Sequence, residues 1–264
     1  MTPKPTVMGI WLASASERRA QILDDRFGPI HIEAFSDVDE TPPSGTVPSQ
    51  VLAICRRKSE AVPSDHGFQA VVVADTMLED PDDPNVAIGK AEDELSAASM
   101  FKRLSGRRHQ VWSATGIQIC GDWTFFVESA VVEIDELTID EIAHLIESGS
   151  WVGKAGSYDL AGEMGNHARL VDGDELAVLG FAPSALRLLD KFSSCIQNPV
   201  LGRLSKSMNP NYINNGISPK SFFETSIDTS LPGRSNNLSD SSNAKMSIFI
   251  SSPICFRDLL QALV

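Results

Sequence analysis

Acidic side chains that suit divalent metal ions occur at two separate places in the sequence. Asp75 and Thr76 directly follow the apolar run 70–74, and Asp39 and Glu40 lie in an acidic segment nearer the N-terminus. Carboxylate oxygens are the protein ligands that Mg²⁺ and Mn²⁺ prefer. If the two segments meet in the folded chain, they form a site for metal-assisted chemistry.

Basic and hydroxyl side chains that suit phosphate groups accompany these carboxylates. Ser14, Arg18 and Arg19 fall at the start of a predicted helix, where backbone N–H groups attract anions and arginine adds bidentate contacts. Lys58 and Lys90 lie before and after the apolar run in the sequence. Combined with two carboxylates and a metal ion, these groups predict a phosphate site.

Each of these groups also has a purely structural explanation. Asp75 can cap the turn after its strand, Arg18 and Arg19 can belong to the solvated face of a helix, and the acidic segment around Asp39 can be an ordinary loop. The five histidines form no ligand pattern, and neither a GxxxxGK[ST] loop nor a GxGxxG fingerprint occurs. The residue types alone leave both explanations open.

The elements that must position these residues are predicted to alternate between strands and helices. Because ligands collect at the carboxyl ends of strands in open α/β sheets, Asp75 is expected where a doubly buried strand ends. Ser16 is a suitable N-cap for the first helix, and the Asp- and Pro-rich segment 79–85 is predicted to be a surface loop. We expect strands over 8–13, 30–35, 70–75, 110–120, 124–134 and 176–181, and helices over 17–27, 48–61, 92–105, 138–149 and 183–192.

Composition excludes several classes of protein. The formal net charge is -13, and the residues before Ser193 are more acidic still, so non-specific binding to a nucleic acid polymer is not expected. The four cysteines form no CxxC pair, which argues against a zinc site or a disulfide framework. Neither a signal peptide nor an apolar run of roughly 20 residues is apparent, so we expect a cytoplasmic protein without a membrane partner.

The composition changes abruptly near the C-terminal end. Between residues 193 and 252, Ser and Asn supply 23 of 60 residues and no helical or strand period is sustained. Such a segment buries too little apolar surface to fold on its own. We therefore predict a folded domain over 1–192 and a Ser/Asn-rich extension over 193–264 that is mostly disordered.

Several short motifs, taken in order, resemble those of the Maf (septum-formation) family of nucleoside triphosphate pyrophosphatases. The resemblance covers about residues 8–192 and does not include the extension. The matching segments are 12–19 (LASASERR), 37–40 (DVDE), 57–59 (RKS), 73–76 (VADT), 88–90 (IGK), 104–111 (LSGRRHQV), 154–158 (KAGSY) and 178–181 (VLGF). Their joint order and spacing make the resemblance specific.

The resemblance implies a two-lobed α/β fold, with a mixed twisted β-sheet flanked by helices around a deep cleft, in a homodimer. It implies hydrolysis of a nucleoside triphosphate to the monophosphate and pyrophosphate. In that family, Asp75 would be the acid–base carboxylate and would hold Mg²⁺ or Mn²⁺ together with Glu40. Arg18, Lys58 and Lys90 would grip the triphosphate. The remaining substrate contacts would come from Ser14, Arg19 and Thr76.

The sequence departs from the family pattern at a few positions. Glu17, Ser59 and Ala91 replace common family residues without removing a charged group of the site. Ala161 stands where many members carry a base-contacting Gln, whereas Arg18 and Thr76 match the pyrimidine-preferring branch. The base preference therefore stays open, and a nucleotide-binding protein with little turnover that regulates cell division is the alternative.

Overall fold

A computed structural model describes residues 9–197, in which strands and helices alternate along most of the chain. The expected disorder of the extension concerns residues that lie almost entirely outside this range. The strands are β1 (Ile10–Leu12), β2 (His31–Ile32), β3 (Ala70–Asp80), β4 (Asp83–Ile88), β5 (Arg108–Ile119), β6 (Asp122–Ile134) and β7 (Ala168–Asp172). The helices are α1 (Glu17–Phe27), α2 (Val47–Glu60), α3 (Glu94–Leu104), α4 (Ile139–Glu147), a 3-10 turn (Glu163–Asn166), α5 (Glu175–Leu179) and α6 (Pro183–Gln197).

The seven strands of residues 9–197 belong to one mixed sheet. Its order is β2-β1-β3-β5-β6-β7, and β4 pairs with β3 beside β1. The pairings of β1 with β2 and β3 are parallel, whereas the other pairings are antiparallel. Helices cover both faces, so the predicted fold class, a mixed α/β sheet flanked by helices, is confirmed.

The long strand β3 creates the opening in which the site lies. One edge of β3 pairs with β5 over 70–78. The other edge pairs with β1 at Ala70–Val72 and with β4 from Leu78 onward. Between these two stretches, no strand of residues 9–197 covers that edge. A cleft can therefore reach the middle of a central strand.

Three apolar clusters hold the layers together. One packs α1 and α6 against β1, β3 and β5, and includes Leu12, Val72 and Leu186. A second packs α2 against the opposite face of the same strands, where Val71 and Val73 are fully buried. The third lies beneath α3 and α4. The alternation of apolar side chains along β3 thus anchors helices on both of its faces.

Hydrogen-bonded caps fix several element ends, among them the predicted cap at Ser16. The Ser16 hydroxyl accepts the Arg19 amide at the start of α1. Thr138 and Glu141 form a capping box before α4, and Gly106 follows α3 with φ +68°. The hairpin between β5 and β6 also has the expected position. These features are local, which is why the sequence predicts them well.

Three predictions about the elements are wrong. The strand 70–75 continues to Asp80, and 79–85 is the tip of the β3–β4 hairpin rather than a loop, because Asp80 and Asp82 are paired with Arg103 and Arg107. The segment 176–181 belongs to a short helix and its end, not to a strand. An apolar run of that length suits either structure, and here the Asp174 cap selects the helix.

Three further elements differ from expectation. Strand β2 is limited to His31–Ile32, and β7 was not predicted because it is short and its residues are mostly exposed. The last helix runs to Gln197, past the expected domain boundary at residue 192. No helix among the described residues is long and apolar enough to cross a membrane.

Candidate active site

The opening beside β3 is a cleft of about 850 Å³. Its walls come from the turn between β1 and α1, the loop after β2, α2, the middle of β3, the end of β4 and the loop 152–160. Every residue that the family resemblance assigns to the site lines this one cleft. These residues are Ser14, Arg18, Arg19, Glu40, Lys58, Asp75, Thr76 and Lys90. Asp39, the other carboxylate of the acidic segment, is outside the lining and pairs with Arg57 instead.

Lys58 joins the two predicted metal-binding carboxylates. Helix α2 brings its Nζ to 2.7 Å from Asp75 Oδ1 and 2.9 Å from Glu40 Oε1. Asp75 is only 9% exposed and lies in the middle of β3, opposite Ala114 of β5. Asp75 therefore does not lie at the end of its strand, where the sequence predicts it. It lines the cleft because the edge of β3 is uncovered at this position.

The charge balance favours ionised Glu40. Burial tends to raise the pKa of its carboxyl, but the hydrogen bond and positive charge of Lys58, with the charge of Lys90, lower it below the ordinary value. Lys90 follows β4, and the bridge between Lys90 and Ala155 ties it to the loop 152–160. Two lysines from different elements thus act on one carboxylate.

Arg19 is buried in the cleft wall and bonds to the protein. Its Nε donates to Gly180 O at 2.9 Å, and its Nη1 donates to Ser14 Oγ at 3.0 Å and to Ala74 O at 3.1 Å. The Ala13 amide, directly after β1, donates to Val72 O on the edge of β3. Arg19 donates to Ala74 O, two residues further along β3, so its side chain continues the pairing of this edge beyond the end of β1. Burial lowers the pKa of Arg19, and the charge of Asp75 opposes this effect.

Gly180 makes room for this arginine. Its φ is +112°, and a Cβ there would lie 2.8 Å from Arg19 Nε. Ser14, on the other side, accepts hydrogen bonds from Arg19 and from the Ser16 amide, so the proton of its hydroxyl remains available. Ser14 can therefore donate to a phosphate oxygen in the cleft.

Arg18 forms an ion pair that the sequence analysis missed. Its guanidinium contacts the Asp159 carboxylate, which also lies 3.1 Å from Lys154 Nζ. Burial opposes ionisation of Asp159, but the two cations outweigh it and lower the pKa of its carboxyl. The sequence signal that could have revealed this pair is Asp159, an acidic residue directly after the KAGSY motif. Ala161, in contrast, is exposed and is not part of the lining.

The loop 152–160 is anchored from below by a buried pair. His109 Nε2 lies 2.8 Å from the Tyr158 hydroxyl, and burial lowers the pKa of His109 to about 4 and raises the pKa of Tyr158. Gly156 has φ +65°, and a Cβ there would lie 2.1 Å from Leu78 Cδ2. His109 of the LSGRRHQV motif and Gly156 of the KAGSY motif therefore support the wall of the cleft.

The fold and the cleft define an α/β protein whose site offers two carboxylates and several cations to a polyanionic ligand. Comparisons with known proteins identify the family. The family model described as Maf-like protein matches residues 9–192. The chain belongs to the Maf family, as the motif resemblance predicted.

Several curated relatives are named dTTP/UTP pyrophosphatase. A dTTP/UTP pyrophosphatase of Zymomonas mobilis is 36% identical over 176 residues, which cover 64% of this chain and 83% of that protein. A dTTP/UTP pyrophosphatase of Bacillus mycoides is 33% identical over 187 residues, which cover 70% and 96%. The solved structure of the Staphylococcus aureus Ham1 protein overlaps 48% of this chain and 71% of its own, with 17% identity and a TM-score of 0.35. At that score the overlap carries no conclusion.

Proposed function

We propose that the protein is a nucleoside triphosphate pyrophosphatase that hydrolyses UTP or dTTP to the monophosphate and pyrophosphate. The observation that carries the proposal is the placement of Lys58 between Glu40 and Asp75, in a cleft that also presents Arg18 and Lys90. The name dTTP/UTP pyrophosphatase of the relatives supports the reaction and the pyrimidine base.

Glu40 and Asp75 are the residues that would hold a divalent metal ion. Lys58 Nζ lies within 2.9 Å of both carboxylates, so a single cation can contact both. No group of three His, Cys, Asp or Glu side chains among residues 9–197 is placed to hold a metal. Two carboxylates completed by phosphate and water oxygens suit Mg²⁺ or Mn²⁺. When bound, the ion supplies charge neutralisation and a more acidic water.

Asp75 is the proposed general base. It accepts a proton from water as the water oxygen bonds to the α-phosphorus, and the bond from that phosphorus to the bridging oxygen breaks. Pyrophosphate leaves with the electron pair of the broken bond. Lys58 orients Asp75 through their hydrogen bond and places a positive charge beside the reacting groups.

We assign the contacts with the triphosphate to side chains of the cleft that can donate hydrogen bonds or carry positive charge. The Ser14 hydroxyl has a proton to donate, and Lys90 is an exposed cation at the cleft rim. Arg18 reaches the ligand by sharing or leaving its pair with Asp159. Arg19 contributes mainly its buried positive charge, since most of its donors are used by the protein.

The remaining expectations from the resemblance are part of the same proposal. We expect a homodimer in the cytoplasm that binds neither membranes nor nucleic acid polymers. Thr76, on the cleft wall, is proposed to contact the base. The low-turnover alternative requires tight nucleotide binding without release of pyrophosphate.

A pyrophosphate-release assay tests the proposal. Wild-type protein is supplied with each canonical nucleoside triphosphate and Mg²⁺ or Mn²⁺, and UTP and dTTP should be the best substrates. Asp75→Asn should lower kcat by roughly 10²–10⁴-fold. Asp37→Asn is the matched control, because Asp37 is an exposed acid of the same loop as Glu40 and is outside the cleft. Nucleotide binding without pyrophosphate release would favour the alternative, and full activity of Asp75→Asn would refute the base assignment.

A further inference from the structure

A chain of hydrogen bonds runs behind the cleft through Thr76. Arg19 Nη2 donates to Thr76 Oγ1 at 2.9 Å, and Thr76 Oγ1 lies 2.8 Å from Ser113 Oγ. Ser113 is fully buried on β5, directly opposite Thr76, and its hydroxyl lies 2.7 Å from Ala177 O in α5. Thr76 itself lines the cleft.

The two ends of this chain fix the direction of every proton in it. An arginine only donates, and a backbone carbonyl only accepts. Ser113 must therefore donate its single proton to Ala177 O, and Thr76 must donate its own to Ser113. The opposite arrangement would leave two oxygens 2.7 Å apart with no proton between them.

Thr76 consequently offers only a lone pair to the cleft. Its proton is committed to Ser113, and one lone pair is already used by Arg19. Ionised phosphate oxygens are acceptors, so Thr76 cannot hydrogen-bond to the triphosphate. The ligand group that meets Thr76 must carry an N–H or O–H.

The placement of Thr76 separates it from the proposed chemistry. Successive side chains of a strand point to opposite faces. Asp75 is bonded to Lys58 of α2 on one face, whereas Thr76 is bonded to Arg19 and Ser113 on the face covered by α1 and α5. The cleft reaches both faces because the edge of β3 is uncovered there.

We propose that Ser113 is a specificity-positioning residue, which orients the Thr76 hydroxyl as an acceptor for the N3–H of a uracil or thymine base. This inference rests on the proposed function. Uracil and thymine carry a proton at N3, whereas cytosine carries a lone pair there. With the Thr76 proton held by Ser113, cytosine would place two lone pairs against each other.

Equilibrium binding tests the inference without relying on turnover. Hydrolysis-resistant α,β-methylene analogues of UTP and CTP are titrated into the full-length wild type and Ser113→Ala by calorimetry. The wild type should bind the UTP analogue about tenfold tighter than the CTP analogue, a ratio of affinities equivalent to about one hydrogen bond. In Ser113→Ala the Thr76 hydroxyl can turn and donate, so the CTP analogue should bind tighter and the ratio should fall to about threefold or less. Affinity for the UTP analogue should stay within about threefold.

Two further variants separate positioning from damage to the fold. Thr115→Val removes another fully buried hydroxyl of β5, which accepts a hydrogen bond from the Ala182 amide and is not one of the Thr76 hydrogen-bond partners, so the wild-type ratio should persist. Thr76→Val should also reduce the ratio, but it should do so by weakening binding of the UTP analogue about tenfold rather than by strengthening binding of the CTP analogue. If Ser113→Ala does not fold, Thr76→Val provides the test on its own.

The outcomes also distinguish this inference from the proposed function. Equal or tighter wild-type binding of the CTP analogue, no binding of either analogue, or an unchanged ratio in Ser113→Ala would overturn the role of Ser113. An unchanged ratio in Thr76→Val would overturn it as well. Pyrophosphate release from UTP or dTTP by the wild type would still support the proposed function in each case. Binding with the expected ratios but without pyrophosphate release would overturn only the proposed function.

Discussion

The ammonium group of Lys58 lies 2.7 Å from the Asp75 carboxylate, although the two residues come from a helix and from the middle of a strand. The same nitrogen is 2.9 Å from Glu40. Lys58 therefore contacts both proposed metal ligands and favours the ionised form of Glu40. Its removal has consequences for rate and for pH dependence.

Lys58→Met should lower kcat/KM by roughly 10²-fold, because a cation beside the reacting phosphate is lost. Burial would then be opposed only by the charges of Lys90 and Arg19, so the pKa of the Glu40 carboxyl should rise. Since the proposed function needs Glu40 ionised, the acidic limb of the pH–rate profile should move to higher pH. Initial rates across a pH series measure this shift. Lys102→Met, an exposed lysine on α3, is the control, and an unmoved acidic limb in Lys58→Met would count against the coupling.

Asp159→Asn should strengthen substrate binding. The carboxylate of Asp159 pairs with Arg18 and Lys154, so it competes with the triphosphate for both cations. Asparagine keeps an oxygen for the Ala161 amide but removes the charge. We expect KM to fall about three- to tenfold with little change in kcat, as steady-state kinetics would show. Glu92→Gln, an exposed acid outside the cleft, should leave KM unchanged. A rise of KM in Asp159→Asn would mean that Asp159 orients Arg18 for the substrate.

Two glycines of one loop provide a matched pair for the packing of the cleft wall. Gly153 and Gly156 both have positive φ, +72° and +65°, but an added Cβ meets nothing within 4 Å at Gly153 and lies 2.1 Å from Leu78 Cδ2 at Gly156. Gly153→Ala should cost about 1 kcal/mol of unfolding free energy from backbone strain. Gly156→Ala should cost about 2 kcal/mol more and reduce activity, because the overlap displaces the loop. Urea denaturation measures both, and equal losses would contradict the packing argument.

The buried pair of His109 and Tyr158 predicts a dependence of stability on pH. The folded pKa of His109, about 4, is below its ordinary value of 6.5, so the unfolded chain binds more protons between these values. Stability should therefore fall as pH decreases from 6.5 to 4, by about 3 kcal/mol from this group. His109→Gln should remove this part of the loss in urea denaturation at a series of pH values. His144→Gln, a mostly exposed histidine, should keep it. Identical pH dependence of wild type and His109→Gln would contradict the assignment.

Much of the fold and the cleft followed from local signals in the sequence. The buried run before Asp75, the cap at Ser16 and the order of the motifs predicted much of the sheet, the start of the first helix and the residues that line the cleft. The gap along β3 was not predictable, because it depends on where β1 ends and β4 begins relative to a strand far away in the sequence. Long-range pairing of this kind leaves no local pattern.

Contacts of individual site residues also depend on partners that are far away in the sequence. Arg18 and Arg19 are adjacent in sequence, yet one pairs with Asp159 in the cleft and the other is buried against Gly180. A helix start predicts neither partner, because both come from the C-terminal part of the fold. Ser113 likewise has no motif of its own, and its connection to Thr76 arises only from the register of β3 and β5.

The position of bond cleavage tests the central claim most directly. Wild-type protein is incubated with UTP and a divalent metal ion in H₂¹⁸O, and the products are separated and weighed by mass spectrometry. Attack of water on the α-phosphorus, with Asp75 as the base, predicts one ¹⁸O atom in UMP and none in pyrophosphate. Label in the pyrophosphate, or release of labelled inorganic phosphate with UDP, would contradict the account.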